Sequence, residues 1–151
     1  MASGAEGRAQ NPEASQRSMA IILDADVIIK GEKGRFDLIG WLAAQTGEEL
    51  EVAAITVAEL WHGIERAMLA HRPERERYVR TIVEKLEVIP YTDATALVHA
   101  QIWAALESSG EMIGSHDLIL AATALEHGSA VATFNERHFT HVPGLKVIRP
   151  A

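Results

Sequence analysis

The stretch Ala20-Ile21-Ile22-Leu23-Asp24-Ala25-Asp26-Val27 decides the fold of this chain. Four apolar residues in a row, without alternation, suit a strand covered on both faces, as in a parallel sheet. The run ends on a carboxylate, and a second carboxylate follows two residues on. A carboxylate abutting a buried strand is costly unless it is exposed or partnered. Asp24 therefore marks either a surface or a site, whereas Asp26 reads equally as an ordinary turn residue.

Outward from this strand, short apolar runs alternate with segments of helical period. Phe36 to Ala44 predicts a helix that stops before Gly47, and Val52-Ala53-Ala54-Ile55 predicts the second strand. Val57, Leu60, Trp61, Ile64 and Met68 then share one helical face. Pro73 opens a charged helix with Tyr78, Ile82 and Leu86 on its inner side, and Leu86 to Ile89 is a short strand. Ala94, Leu97, Val98, Ile102, Ala105 and Leu106 form the inner face of a further helix, capped near Thr92 or Asp93 and ended by Gly110. Leu118, Ala121, Ala122 and Leu125 mark a last helix, which Gly128 terminates, before strands at Ala130–Thr133 and Lys146–Ile148. Strands separated by helices imply right-handed crossovers. The expected fold is a single α/β domain with a mainly parallel central sheet of about five strands, flanked by helices.

With 151 residues, 48% of them apolar, the chain has room for one domain with a real core. It has no cysteine, which excludes a disulfide framework, a thiolate nucleophile, a zinc ribbon and an iron–sulfur cluster. The longest near-apolar run, Leu118 to Leu125, falls far short of the roughly twenty residues of a membrane span. Residues 1–18 are mostly small and polar and lack the apolar stretch of a signal peptide. They are expected to be a disordered extension, with Met19 an alternative start and 19–151 the folded domain. A cytoplasmic location is compatible with all of this. The net charge of −7 has the wrong sign for phosphate binding, unless the acids are concentrated where a divalent cation cancels them.

In open parallel sheets ligands bind beyond the carboxyl ends of the strands. At those ends stand Asp24 and Asp26, then Thr56 and Glu59, then Ser115, His116 and Asp117, then Thr133, Asn135 and Glu136. No glycine-rich phosphate loop is present. Acids meeting at one edge raise one another's pKa unless a cation joins them, and Mg²⁺ or Mn²⁺ is the natural hard ion for oxygen donors. Other roles stay open. Thr56 and Glu59 also spell a capping box, Ser115 suits an N-cap with Asp117 complementing the helix dipole, and His116 suits ordinary surface or core use.

Four segments resemble the PIN-domain toxins of the VapC type, in family order. They are Ile21-Ile22-Leu23-Asp24-Ala25-Asp26-Val27, Ile55-Thr56-Val57-Ala58-Glu59-Leu60, Ile113-Gly114-Ser115-His116-Asp117-Leu118, and Thr133-Phe134-Asn135-Glu136-Arg137-His138-Phe139. The resemblance implies a PIN-like, metal-dependent endoribonuclease, the toxin half of a toxin–antitoxin pair. It implies that Asp24, Glu59 and Asp117 hold Mg²⁺ or Mn²⁺, with Asn135 completing the catalytic set where some members have Asp. Asp26, Thr133 and Glu136 would support the ligands from behind, and Arg137 and His138 would touch RNA. Ala25 and Asp26 depart from the usual Thr and Asn.

The implied partners are an RNA substrate, a cognate VapB-like antitoxin with a basic segment, and a second copy of the chain, for which the face with Trp61 and Met68 is a candidate. Arg66, Arg72, Arg75, Arg77 and Arg80, with His62 and His71, read either as an RNA-binding surface or as a solvated, salt-bridged face. Two other functions remain. Asp24-Ala25-Asp26-Val27 also resembles the first motif of haloacid-dehalogenase-type phosphatases, although no lysine lies between Lys85 and Lys146. A PIN-like module that binds RNA or a partner without cutting is the third.

Overall fold

The computed structural model describes residues 19–151; the extension expected over 1–18 lies outside the described residues. The first strand, β1 (Ala20–Leu23), runs straight into α1 (Ala25–Glu32). They are followed by α2 (Leu38–Ala44), β2 (Glu49–Ala53), α3 (Ala54–Glu65), α4 (Arg72–Glu84) and β3 (Glu87–Ile89). The chain closes with α5 (Asp93–Ser109), α6 (Ser115–His127), β4 (Ala130–Ala132), a 3₁₀ turn (Glu136–His138) and β5 (Val147–Ile148). The five strands form one sheet in the order β3-β2-β1-β4-β5, and every pairing is parallel.

Because strand side chains alternate between faces, β1 feeds two cores. Ile21 and Leu23 join Val52, Leu60, Ile64, Val79 and Ile82 on the side of α1 to α4. Ile22 joins Ile102, Leu106, Leu120, Ala121, Val131 and Phe139 on the side of α5 and α6. The unbroken apolar run of β1 thus reflects burial on both faces.

Helix α1 departs from the expected pattern, since the β-branched run Val27-Ile28-Ile29 conceals it. It begins because Asp24, in extended conformation, caps it by accepting from the Ala25 N–H at 2.8 Å. The second strand ends two residues before expected, at Ala53, so Ala54 and Ile55 belong to α3. Ala53 is then the N-cap residue, with no side-chain cap bond, and the capping box of Thr56 and Glu59 does not form. Thr56 sits fully buried in the first turn with its hydroxyl unbonded. Ser115 likewise stands inside α6, whose N-cap is Gly114. The box at Thr92 does form, with Thr95 as its partner, and Gly110 and Gly128 end their helices at positive φ, 71° and 67°.

Trp61 leans on the first core beneath the Arg80 guanidinium, 4.8 Å from its ring, while Met68 is 73% exposed beyond the end of α3. The two do not make one continuous apolar face. Leu97, expected inside, is 63% exposed. The basic stretch is a salt-bridged surface in good part. Arg72 binds Glu65 at 2.7 Å, Arg75 binds Glu32 at 3.0 Å and Arg80 binds Glu76 at 3.1 Å.

Candidate active site

The strand order changes direction between β1 and β4, which lie side by side with Leu23 opposite Ala132. This is the switch point at which open α/β sheets bind ligands. Asp24 follows β1 there and Thr133 follows β4. The Asp24 N–H donates to the Ala132 carbonyl at 2.9 Å, extending the ladder by one bond. The Thr133 hydroxyl donates to Asp24 Oδ2 at 2.8 Å, lies 3.4 Å from Asp26 Oδ1, and accepts from the Asn135 N–H at 3.0 Å. Asp26 is no idle turn residue. In the first turn of α1, it accepts from the Phe134 N–H at 2.9 Å. Arg149 grips the same loop from the other side, donating to the Phe134 carbonyl at 2.9 Å.

Electrostatics brings two more acids to this rim. Asp24 is only 7% exposed. Burial, then the charge of Asp26, push its pKa up to about 7; Asp117 adds to the rise, while the bonds from Thr133 and Ala25 oppose it. Burial raises Asp26 as well. Burial also raises Glu59, with His116 opposing and the charge of Asp117 adding to the rise. Asp117 therefore lies close enough to act on both Asp24 and Glu59. Helices α3 and α6, which carry Glu59 and Asp117, pack against each other.

The acids converge without closing into a cage. Among the described residues no three His, Cys, Asp or Glu side chains form a ready metal-binding group. Glu59 and Asp117 instead face imidazoles. His116 Nδ1 lies 3.5 Å from Glu59 Oε2, and His138 Nδ1 lies 3.0 Å from Asp117 Oδ2. Neither contact is visible in the sequence, because His138 and Asp117 lie 21 residues apart and follow no spacing rule. Asn135 is exposed on the loop after β4. Glu136 has a different partner from the one expected of it, Arg149 at 2.7 Å. Arg137 and His138 line a cavity of about 600 Å³ together with Ile113, Gly114, Asp117 and His141. A second cavity of about 620 Å³, between α1, α4 and the loop after α3, holds none of these acids.

A three-layer α/β domain with buried acids at its switch point defines the class, and comparison with known proteins narrows it. The family model of the PIN domain matches residues 21–145. The VapC ribonuclease Y4jK of Sinorhizobium fredii is 36% identical over 143 residues, covering 86% of this chain and 96% of that protein. The DNA-bound VapBC structure from Salmonella typhimurium superposes with a TM-score of 0.79 at 27% identity, covering 87% of this chain and 98% of that one. VapBC2 from Rickettsia felis, bound to a promoter DNA fragment, shares the fold with a TM-score of 0.82 at 19% identity, covering 88% of this chain and 100% of that one. The chain belongs to the PIN-domain family, among its VapC ribonucleases. The haloacid-dehalogenase alternative falls with that assignment.

Proposed function

We propose that the chain is a divalent-metal-dependent endoribonuclease and the toxin of a toxin–antitoxin pair. Its partners in this reading are an RNA substrate, a cognate antitoxin and a second copy of itself, in a cytoplasmic setting. Among the described residues no helix is long and apolar enough to cross a membrane. The observation that carries the proposal is the convergence of Asp24, Glu59 and Asp117 at the switch point, where each of Asp24 and Glu59 feels the charge of Asp117.

The donor set fits Mg²⁺ or Mn²⁺. It is all oxygen, and Asp24 is a buried carboxyl crowded by the charges of Asp26 and Asp117, which a hard cation would relieve. Asp24, Glu59 and Asp117 would hold the ion, which when bound activates water and stabilises charge on a phosphate oxygen. The chain's own contribution is to orient these groups. Thr133 fixes the Asp24 carboxylate, and Asp26 fixes the loop that carries Asn135. Arg137 lines the cavity beside Asp117 and would meet a phosphate backbone there, while His138 and His141 on the same wall contact Asp117 and Glu111. Solved relatives are antitoxin complexes, and the net charge of −7 suits a basic antitoxin segment over the acid rim.

The test is RNA cleavage mapped to the nucleotide with Mg²⁺, with Mn²⁺ and with chelator. Cleavage should need the ion and vanish in Asp24→Asn, Glu59→Gln and Asp117→Asn with the fold intact by circular dichroism. Undiminished cleavage in chelator would overturn the metal assignment. A chain that binds Mn²⁺ and RNA but cuts nothing would be the non-catalytic module instead.

A further inference from the structure

The peptide that joins Phe134 to Asn135 is held at both edges. Its N–H donates to the Thr133 hydroxyl at 3.0 Å, and its carbonyl accepts from Arg149 Nη1 at 2.9 Å. A peptide unit is planar, so bonds on its two edges fix its rotation. That rotation sets the direction in which the Asn135 side chain leaves the backbone. The adjoining groups are engaged as well. Asp26 accepts from the Phe134 N–H at 2.9 Å, and the Asn135 carbonyl accepts from the His138 N–H at 3.0 Å. Three of these four partners belong to the motif segments of the rim. Arg149 does not, and the sheet alone brings it there. Strand β5 pairs with β4 so that Ile148 stands beside Ala132, and the Thr133 N–H donates to the Ile148 carbonyl at 3.0 Å. The next residue of the chain, Arg149, is thereby delivered to the loop after β4.

The same Arg149 nitrogen donates to Glu136 Oε1 at 2.7 Å, and the guanidinium lies 5.2 Å from the centre of the Phe134 ring. Lys30 lies 4.3 Å from that ring centre, and Phe36 meets the ring edge-on at 5.2 Å. Arg149 thus grips the residues on either side of Asn135. Its pair with Glu136 is about half exposed on both partners, where ion pairs contribute little to stability. What the bonds supply is position. With its charge matched by Glu136, Arg149 serves as a tether and not as a free phosphate contact. We propose that Arg149 is a positioning residue for RNA cleavage. From the end of β5 it clamps Phe134 and Glu136, and so holds the Asn135 amide between them at the rim. Its role in cleavage rests on the nuclease reading, whereas the clamp itself does not.

The test compares Arg149→Met with the wild-type chain on one RNA in Mg²⁺. The kcat should fall by roughly tenfold, the low end of what supporting groups around a metal site are worth, while KM stays unchanged. RNA binding in chelator should keep its salt dependence. A phosphate contact behaves differently, since its loss raises KM and lowers the salt slope by roughly 0.7. Glu136→Gln loosens the same guanidinium and should lower kcat by a smaller factor. A second readout needs neither metal nor RNA. In the metal-free, nitrogen-15-labelled Arg149→Met chain, the Phe134 and Asn135 amides should lose exchange protection, while those of Asp24 and Val131 keep theirs. Unchanged exchange at both loop amides, an unchanged kcat, or a raised KM with a lowered salt slope would each overturn the proposal. A wild type that cuts no RNA would sink the nuclease reading instead, and the exchange result decides the clamp on its own.

Discussion

Thr133 organises the rim with a single hydroxyl. It donates to Asp24 and accepts from the Asn135 N–H, so it ties the end of β1 to the loop after β4. Thr133→Val keeps the shape and removes both bonds. Groups behind metal ligands are worth roughly 10–100-fold in affinity, and Mn²⁺ titration by calorimetry should show a loss in that range. Asp24 carries the opposite cost. Its pKa is about 7 in the fold against an ordinary value near 4. Between those values the folded chain keeps a proton that the unfolded chain has lost. Metal-free stability should therefore fall as pH rises from about 4 to about 7, and stay low above that. Thermal unfolding in chelator should give a lower midpoint at pH 8 than at pH 5. Asp24→Asn should flatten the difference and raise the midpoint at pH 8. An unchanged pH profile in that variant would show that Asp24 is not the strained group.

At the scale of elements, the site depends on where strands stop and helices start. Helix α3 begins at Ala54 and not at a Thr56 cap, so Glu59 stands in its second turn and faces His116 rather than its own helix end. The 3₁₀ turn that carries Arg137 and His138 is anchored by Phe139, which is fully buried in the second core. Phe139→Ala should cost about 3–5 kcal/mol, the range for deleting a buried aromatic ring, measured by urea denaturation. It should also loosen His138 from Asp117. A cost below about 1 kcal/mol would mean the core collapses around the gap and the turn has another anchor.

For the whole molecule, the sheet order gathers acids from β1, α3 and α6 at one rim, and an ion bound there should lock these elements together. Mn²⁺ at about 100 times its Kd should stabilise the wild type by roughly 2.7 kcal/mol, while Asp24→Asn should gain far less; equal gains would place the ion elsewhere. The sequence by itself determined the strand-and-helix alternation, both glycine-ended helices and the acids at strand ends, because burial on two faces and left-handed helix ends each leave a local mark. It could not locate α1, because Val27-Ile28-Ile29 suits a strand as well as a helix until the Asp24 cap is seen. Nor did it foretell the imidazoles at Glu59 and Asp117, the outward turn of Leu97, or the link from Thr133 across to Asp24. Those depend on residues far apart in the chain, and only the packing of helices on a parallel sheet brings them within reach.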